Sequence, residues 1–96
     1  MNNKNQNFDE LPTGEIISYE HFLYQLDTGR EIEFSYNNQE YFIAHDKKGR
    51  VLWKGKNRLS EYYDDKNETF LSSVQIEGVT LKELINKKLL RISTVF

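Results

Sequence analysis

The chain has 96 residues, 13 Lys and Arg against 15 Asp and Glu, a net charge of −2, and no cysteine. That size allows one domain, which buries only roughly 60–70% of the surface its unfolded chain exposes, so six Tyr, six Phe and one Trp must fill much of a small core. The lack of cysteine excludes disulfides, thiolate metal sites and a Cys nucleophile, and it favours a reducing, cytoplasmic setting. No stretch approaches the roughly 18 apolar residues of a membrane span.

Residues 1–15 are rich in Asn, hold the only Pro, and read as a flexible N-terminal tail before a single α+β domain over 16–96. The spacing then predicts a helix from Tyr19 to Thr28. Ser18 is its N-cap, Ile17 and Phe22 have hydrophobic-staple spacing, and Tyr19, Phe22, Leu23 and Leu26 make the apolar stripe. Gly29 ends it.

Residues 30–45 predict a β-hairpin. An Asn37-Asn38 turn suits type I′, because Asn tolerates positive φ. This turn sets Tyr36 opposite Gln39, Phe34 opposite Tyr41, Ile32 opposite Ile43 and Arg30 opposite His45. A third strand over 50–54 completes a three-stranded antiparallel meander. With Gly49 as a bulge after Asp46-Lys47-Lys48, Val51 falls opposite His45 and Trp53 opposite Ile43, which places Trp53 in the core.

Residues 55–67 read as a loop with a helical turn at 59–63. Residues 68–76 fit either a short helix or a strand. Thr80-Leu-Lys-Glu83 is a capping box opening a helix over 81–88, with Leu81, Leu84 and Ile85 inward. The end, from Leu89 to Phe96, is β-rich and fits a last edge strand or an extended tail. The expected fold is therefore α+β: N-terminal helix, meander, one or two short C-terminal helices and that last strand.

The stretches Gly29–Tyr41 and Ile76–Leu84 carry a resemblance. They are similar to the hairpin and capped helix of small proteins of low-GC Gram-positive bacteria and their prophages. Asn38 departs from that pattern, which has Gly at this turn position. The resemblance implies a bacterial or phage accessory protein and brings no catalytic residues with it.

No residue pattern points to an enzyme or a cofactor. His21 and His45 lack metal-ligand spacing. Asp64 and Asp65 sit in a polar loop without the apposition that acid–base catalysis needs. No phosphate-binding loop is present.

Charge is the remaining guide. Residues 1–46 hold nine acids against two bases, and residues 47–58 hold six bases and no acid. Two kinds of partner follow. The first is another protein, met by Glu31, Glu33 and Glu40 with Phe42 on the outer sheet face and by Tyr62, Tyr63, Asp64 and Asp65 in the following loop. Carboxylates and tyrosines on a small rigid sheet suit occlusion of a basic site, as an inhibitor, immunity or anti-defence protein would do it. The alternative is nucleic acid, gripped by Lys47, Lys48, Arg50, Lys54, Lys56 and Arg58 around Trp53. A monomer, or a homodimer joined through an edge strand, suits either.

Overall fold

A computed structural model describes residues 8–96 of the chain. Its order is α1 (Tyr19–Asp27), β1 (Ile32–Tyr36), β2 (Gln39–Asp46), β3 (Gly49–Lys54), β4 (Asn57–Arg58), α2 (Asn67–Ser73), β5 (Gln75–Ile76), β6 (Val79–Thr80), α3 (Leu81–Asn86) and β7 (Arg91–Val95). The fold is α+β. The meander forms the middle of a five-stranded antiparallel sheet ordered β4-β3-β2-β1-β7, and β5 and β6 form a separate small ribbon.

The hairpin turn behaves as its residues dictate. Asn37 and Asn38 take φ of 53° and 64°, the left-handed pair that a type I′ turn requires. The pairs Ile32–Ile43, Phe34–Tyr41 and Tyr36–Gln39 form as expected, while the β1–β2 pairing ends at Ile32–Ile43, before the expected Arg30–His45 pair, and His45 pairs with Arg50 instead. Ile32, Phe34 and Ile43 are fully buried, and Tyr41 nearly so. On the same face, Phe34 and Tyr41 stack with centroids 5.4 Å apart.

The second turn departs from expectation. Lys47 and Lys48 make a plain two-residue connection, and Asp46 pairs directly with Gly49. With no bulged residue, the register of β3 moves by one. Leu52 faces Ile43, Val51 faces Ala44, and Trp53 faces Phe42. A one-residue slip exchanges the two faces of a strand. Leu52 therefore enters the core, and Trp53 lies on the opposite face, half-buried. Val51 is fully buried as well, but outside the main core cluster.

This register turns Arg50 inward, and the sheet accommodates it through distant partners. Arg50 as a whole is 3% exposed. Its Nη2 donates to the carbonyl of Leu26 at 2.7 Å, and its Nε donates to Asn67 Oδ1 at 3.0 Å. Asn67 Nδ2 in turn donates to Asp27 at 2.9 Å. One side chain thus ties β3 to the last turn of α1 and the first residue of α2. A cation at a helix C-terminus also meets the negative end of the helix dipole. Burial pulls the Arg50 pKa down, opposed by the charges of Glu31 and Asp27.

Residues 59–63 form no helical turn, contrary to expectation. Tyr63 exchanges backbone hydrogen bonds with Arg50 at 2.8 and 2.9 Å, and Leu59 N–H donates to the Leu52 carbonyl at 2.8 Å. A Cβ at Gly49 would lie 2.2 Å from the Tyr63 carbonyl oxygen, so the close approach needs glycine there. The edge of β3 satisfies its backbone groups in this way.

Helices α1 and α3 follow from their caps. Ser18 Oγ accepts from His21 N–H at 3.1 Å, and Thr80 Oγ1 accepts from Glu83 N–H at 3.2 Å. Residues 68–76 resolve into most of α2 followed by β5. Phe70, Leu71 and Val74 are all buried, as helical spacing on one face allows. Phe22 and Leu26 of α1, Phe70 and Leu71 of α2, and Leu81, Leu84 and Ile85 of α3 join the inner face of the sheet in one cluster.

The described part of the N-terminal segment, residues 8–15, lies against α1 and β7. Phe8 stacks on His21 at 4.6 Å, and its carbonyl accepts from Gln25 Nε2. Gly14 N–H donates to Ile92 O at 2.7 Å, and Ile92 N–H donates to Glu15 O at 2.8 Å. Residues 1–7 of the expected tail lie outside the described residues. Among the described residues, no helix is long and apolar enough to cross a membrane.

Candidate interaction surface

The three helices bury their apolar residues against one face of the sheet, and the other face carries no helix, although Val51 on it is fully buried. Register defines that outer face. Thr94 pairs with Glu33, Glu33 with Phe42, Phe42 with Trp53, and Trp53 with Arg58. One row therefore crosses all five strands, with a carboxylate, two aromatic rings and a guanidinium in order. Phe42 and Trp53 are half-buried along it, and Arg58 is exposed.

The two ends of the face differ chemically. At the β1–β2 end, Glu33 lies beside Phe42, and Glu40 sits opposite Ser35. The pairing of β1 with β7 shifts between Glu33 and Phe34, leaving Ser93 unpaired as a bulge. The Ser93 hydroxyl turns to Glu40 and donates to its carboxylate, with oxygens at 3.0 and 3.3 Å. Phe96 stands 58% exposed, and its ring meets Phe42 edge to face at 5.8 Å. Glu33, Glu40, Phe42 and Phe96 line a shallow depression of about 380 Å³.

At the β3–β4 end, cations gather about Tyr62. Lys48 Nζ lies 5.2 Å from the centre of its ring, and the Arg58 guanidinium carbon lies 5.0 Å away. Both distances are within cation–π range.

The residues expected to act together are thus divided. Glu33, Glu40 and Phe42 share the outer face. Glu31 is partly engaged, since its carboxylate accepts the His45 backbone N–H at 2.9 Å. Tyr63 does not join them: it packs against the core and meets Phe70 edge to face at 5.7 Å. Asp64 and Asp65 line a separate cleft of about 300 Å³ with Asp27, Asp46, Lys47 and Arg50.

The cations are divided as well. Arg50 is buried and engaged, so it is withdrawn from any exposed basic patch. Lys54 lies 5.8 Å from the Tyr41 ring, which belongs to the inner face. Lys47 and Lys48 occupy one turn, at the far end of β3 from Lys56. Trp53, expected in the core, is instead available beside Arg58. Neither Trp53 nor Phe96 could be placed on this face from local sequence, because both depend on register set by pairing across the sheet.

His21 and His45 stay apart, His21 stacked on Phe8 and His45 at an exposed strand end. Among the described residues, no three His, Asp or Glu side chains gather as a metal-ligand group. Comparison with protein-family models, curated proteins and solved structures finds no match to this chain.

Proposed function

We propose that this protein is a non-catalytic protein-interaction module whose contact surface is the outer sheet face. Its most concrete role is that of an inhibitor, immunity or anti-defence protein in a bacterial or prophage setting, acting by occlusion. The observation that carries this is the open row from Glu33 through Phe42 and Trp53 to Arg58 on a sheet whose other face is filled by helices. Half-exposed aromatic rings flanked by charge make good interface anchors, and the charges set approach and register. A rigid sheet also loses little conformational freedom on binding.

Photocrosslinking in the organism of origin tests it. A photoreactive phenylalanine at Trp53 should capture one partner protein, and the same group at Lys82, exposed on α3, should capture none. Equal yields from both positions, or none from either, would remove the proposal.

Nucleic acid remains the second reading, because Trp53 and Tyr62 lie with Arg58 and Lys48 towards one end of the face. Stacking on the rings and contact with phosphate would need those cations. Glu33 and Glu40 on the same face repel phosphate, and Arg50 is out of reach, which favours the protein partner. Binding of labelled DNA or RNA that falls steeply with salt and is lost on neutralising Lys48 and Arg58 would reverse that preference.

A further inference from the structure

The depression between Glu33, Glu40, Phe42 and Phe96 has a chemistry of its own. We infer that it is a receptor for a single arginine side chain projected by the partner protein. The inference rests on the outer-face proposal above and names what that face would grip.

Charge is the first support. Glu33 and Glu40 occupy diagonal positions on neighbouring antiparallel strands, which sets their stems roughly 7–8 Å apart. The one ion pair among the described residues joins Lys87 to Glu83 on α3, so no described Lys or Arg neutralises either carboxylate. Two carboxylates that share one depression, with no described cation paired to either, repel each other, and a cation seated between them relieves the repulsion. Charge-assisted bonds of about 2.8 Å on either side of a planar guanidinium would bridge such a gap.

Shape and rings are the second. Phe42 and Phe96 meet nearly at right angles, 89° between planes, and make an aromatic corner in the depression. A guanidinium stacks on an aromatic face and stays flat while its edge meets carboxylates, whereas an ammonium is a more strongly hydrated point charge. The depression, at about 380 Å³, is at the small end of ligand clefts and suits one long side chain better than a cofactor.

Preorganisation is the third. The Ser93 hydroxyl holds the Glu40 carboxylate from the bulge in β7, so less side-chain freedom is lost when a cation arrives. That single donor leaves most of the acceptor capacity of Glu40 open. Glu33 accepts no side-chain hydrogen bond among the described residues and is open on the same side.

The test uses the full chain, labelled with nitrogen-15, and the blocked peptide acetyl-Gly-Arg-Gly-amide. Titration should shift the amide signals of Glu33, Glu40, Phe42 and Phe96 saturably. The same peptide with citrulline, isosteric but uncharged, should bind about tenfold more weakly, since the loss of charge and cation–π attraction is worth a factor of this order. The double variant Glu33→Gln, Glu40→Gln should keep the folded spectrum and lose the arginine preference, while Glu83→Gln should leave it intact. Equal binding of the arginine and citrulline peptides would overturn the inference. So would arginine-dependent shifts centred on Asp27, Asp46, Asp64 and Asp65. If arginine binding is absent while a photoreactive group at Trp53 still captures one partner, the receptor falls and the interaction surface stands. Selective arginine binding with no such capture upholds the receptor and removes the occlusion role.

Discussion

The two faces of one sheet make different use of the same kinds of residue. Phe34 and Phe42 lie on adjacent strands of a single hairpin, yet Phe34 is fully buried between sheet and helices and Phe42 stands half-open beside two carboxylates. Arg50 and Arg58 lie on adjacent strands as well. The first is enclosed and binds the Leu26 carbonyl and Asn67, and the second is exposed beside Tyr62. Side-chain parity decides the difference. The inner face is committed to stability, and the outer face carries no helix.

The sharpest way to break this contrast is to truncate one ring on each face. Phe34→Ala should cost about 3–5 kcal/mol, because it removes transfer energy and leaves a cavity among Phe22, Tyr41 and their neighbours. Phe42→Ala should cost about 1 kcal/mol, since a half-buried ring opens to water and leaves no void. Urea denaturation followed by far-ultraviolet circular dichroism measures both. Similar losses from the two changes would mean that the outer face is covered rather than open.

Arg50 gives the next largest effect. Arg50→Met keeps the bulk of the stem but abandons the bonds to the Leu26 carbonyl and Asn67 Oδ1. Two charge-assisted bonds, less the recovered desolvation of the cation, put the loss at about 2–4 kcal/mol. Hydrogen exchange should quicken first at the end of α1 and the start of α2, the two elements that Arg50 joins. A loss below about 0.5 kcal/mol would show that the clamp contributes specificity without stability.

The same clamp shows why half of the sheet was legible in sequence and half was not. The first hairpin could be read because a two-residue Asn turn sets its register locally, and each pair from Ile32 to Tyr36 follows. The third strand offered two choices. Reading inward, Val51 and Trp53 bring two apolar residues to the core, while Arg50, Leu52 and Lys54 bring one. The fold takes the second set, because Arg50 finds partners 24 and 17 residues away, which no local pattern encodes. Residues 59–63 escape a local reading for the same reason: Leu59 and Tyr63 bond to β3 instead of joining a helical turn. On the candidate surface, Glu33, Glu40 and Phe42 were legible from the hairpin alone. Trp53 depended on the slipped strand, Phe96 on the pairing of β7, and the separation of Tyr63 from Tyr62 on the bridge to Arg50.

A smaller effect lies on the inner face at high pH. Burial raises the pKa of Tyr41 above its ordinary value of 10.0, and the charges of Glu77 and Tyr36 act in the same direction. The folded protein therefore keeps that proton more tightly than the unfolded chain does. The resulting stability is fully present below pH 10 and is lost as pH rises through the folded-state pKa. Denaturation midpoints taken between pH 9 and 11.5 should fall, and Tyr41→Phe should make the fall shallower. An unchanged slope would assign the alkaline loss to other groups.

The least effect belongs to the turn that joins the two faces' register. Asn38 holds φ of 64°, a conformation that costs an L-residue some energy and glycine almost none. Asn38→Gly should gain roughly 0.5 kcal/mol, the relief of the turn set against the greater freedom of glycine in the unfolded chain. The change should leave the spectrum of Phe34 and Phe42 unaltered, because Tyr36 and Gln39 already close the turn in register. A loss of stability would mean that the Asn38 side chain helps hold the turn, and with it the parity that sends Phe34 inward and Phe42 out.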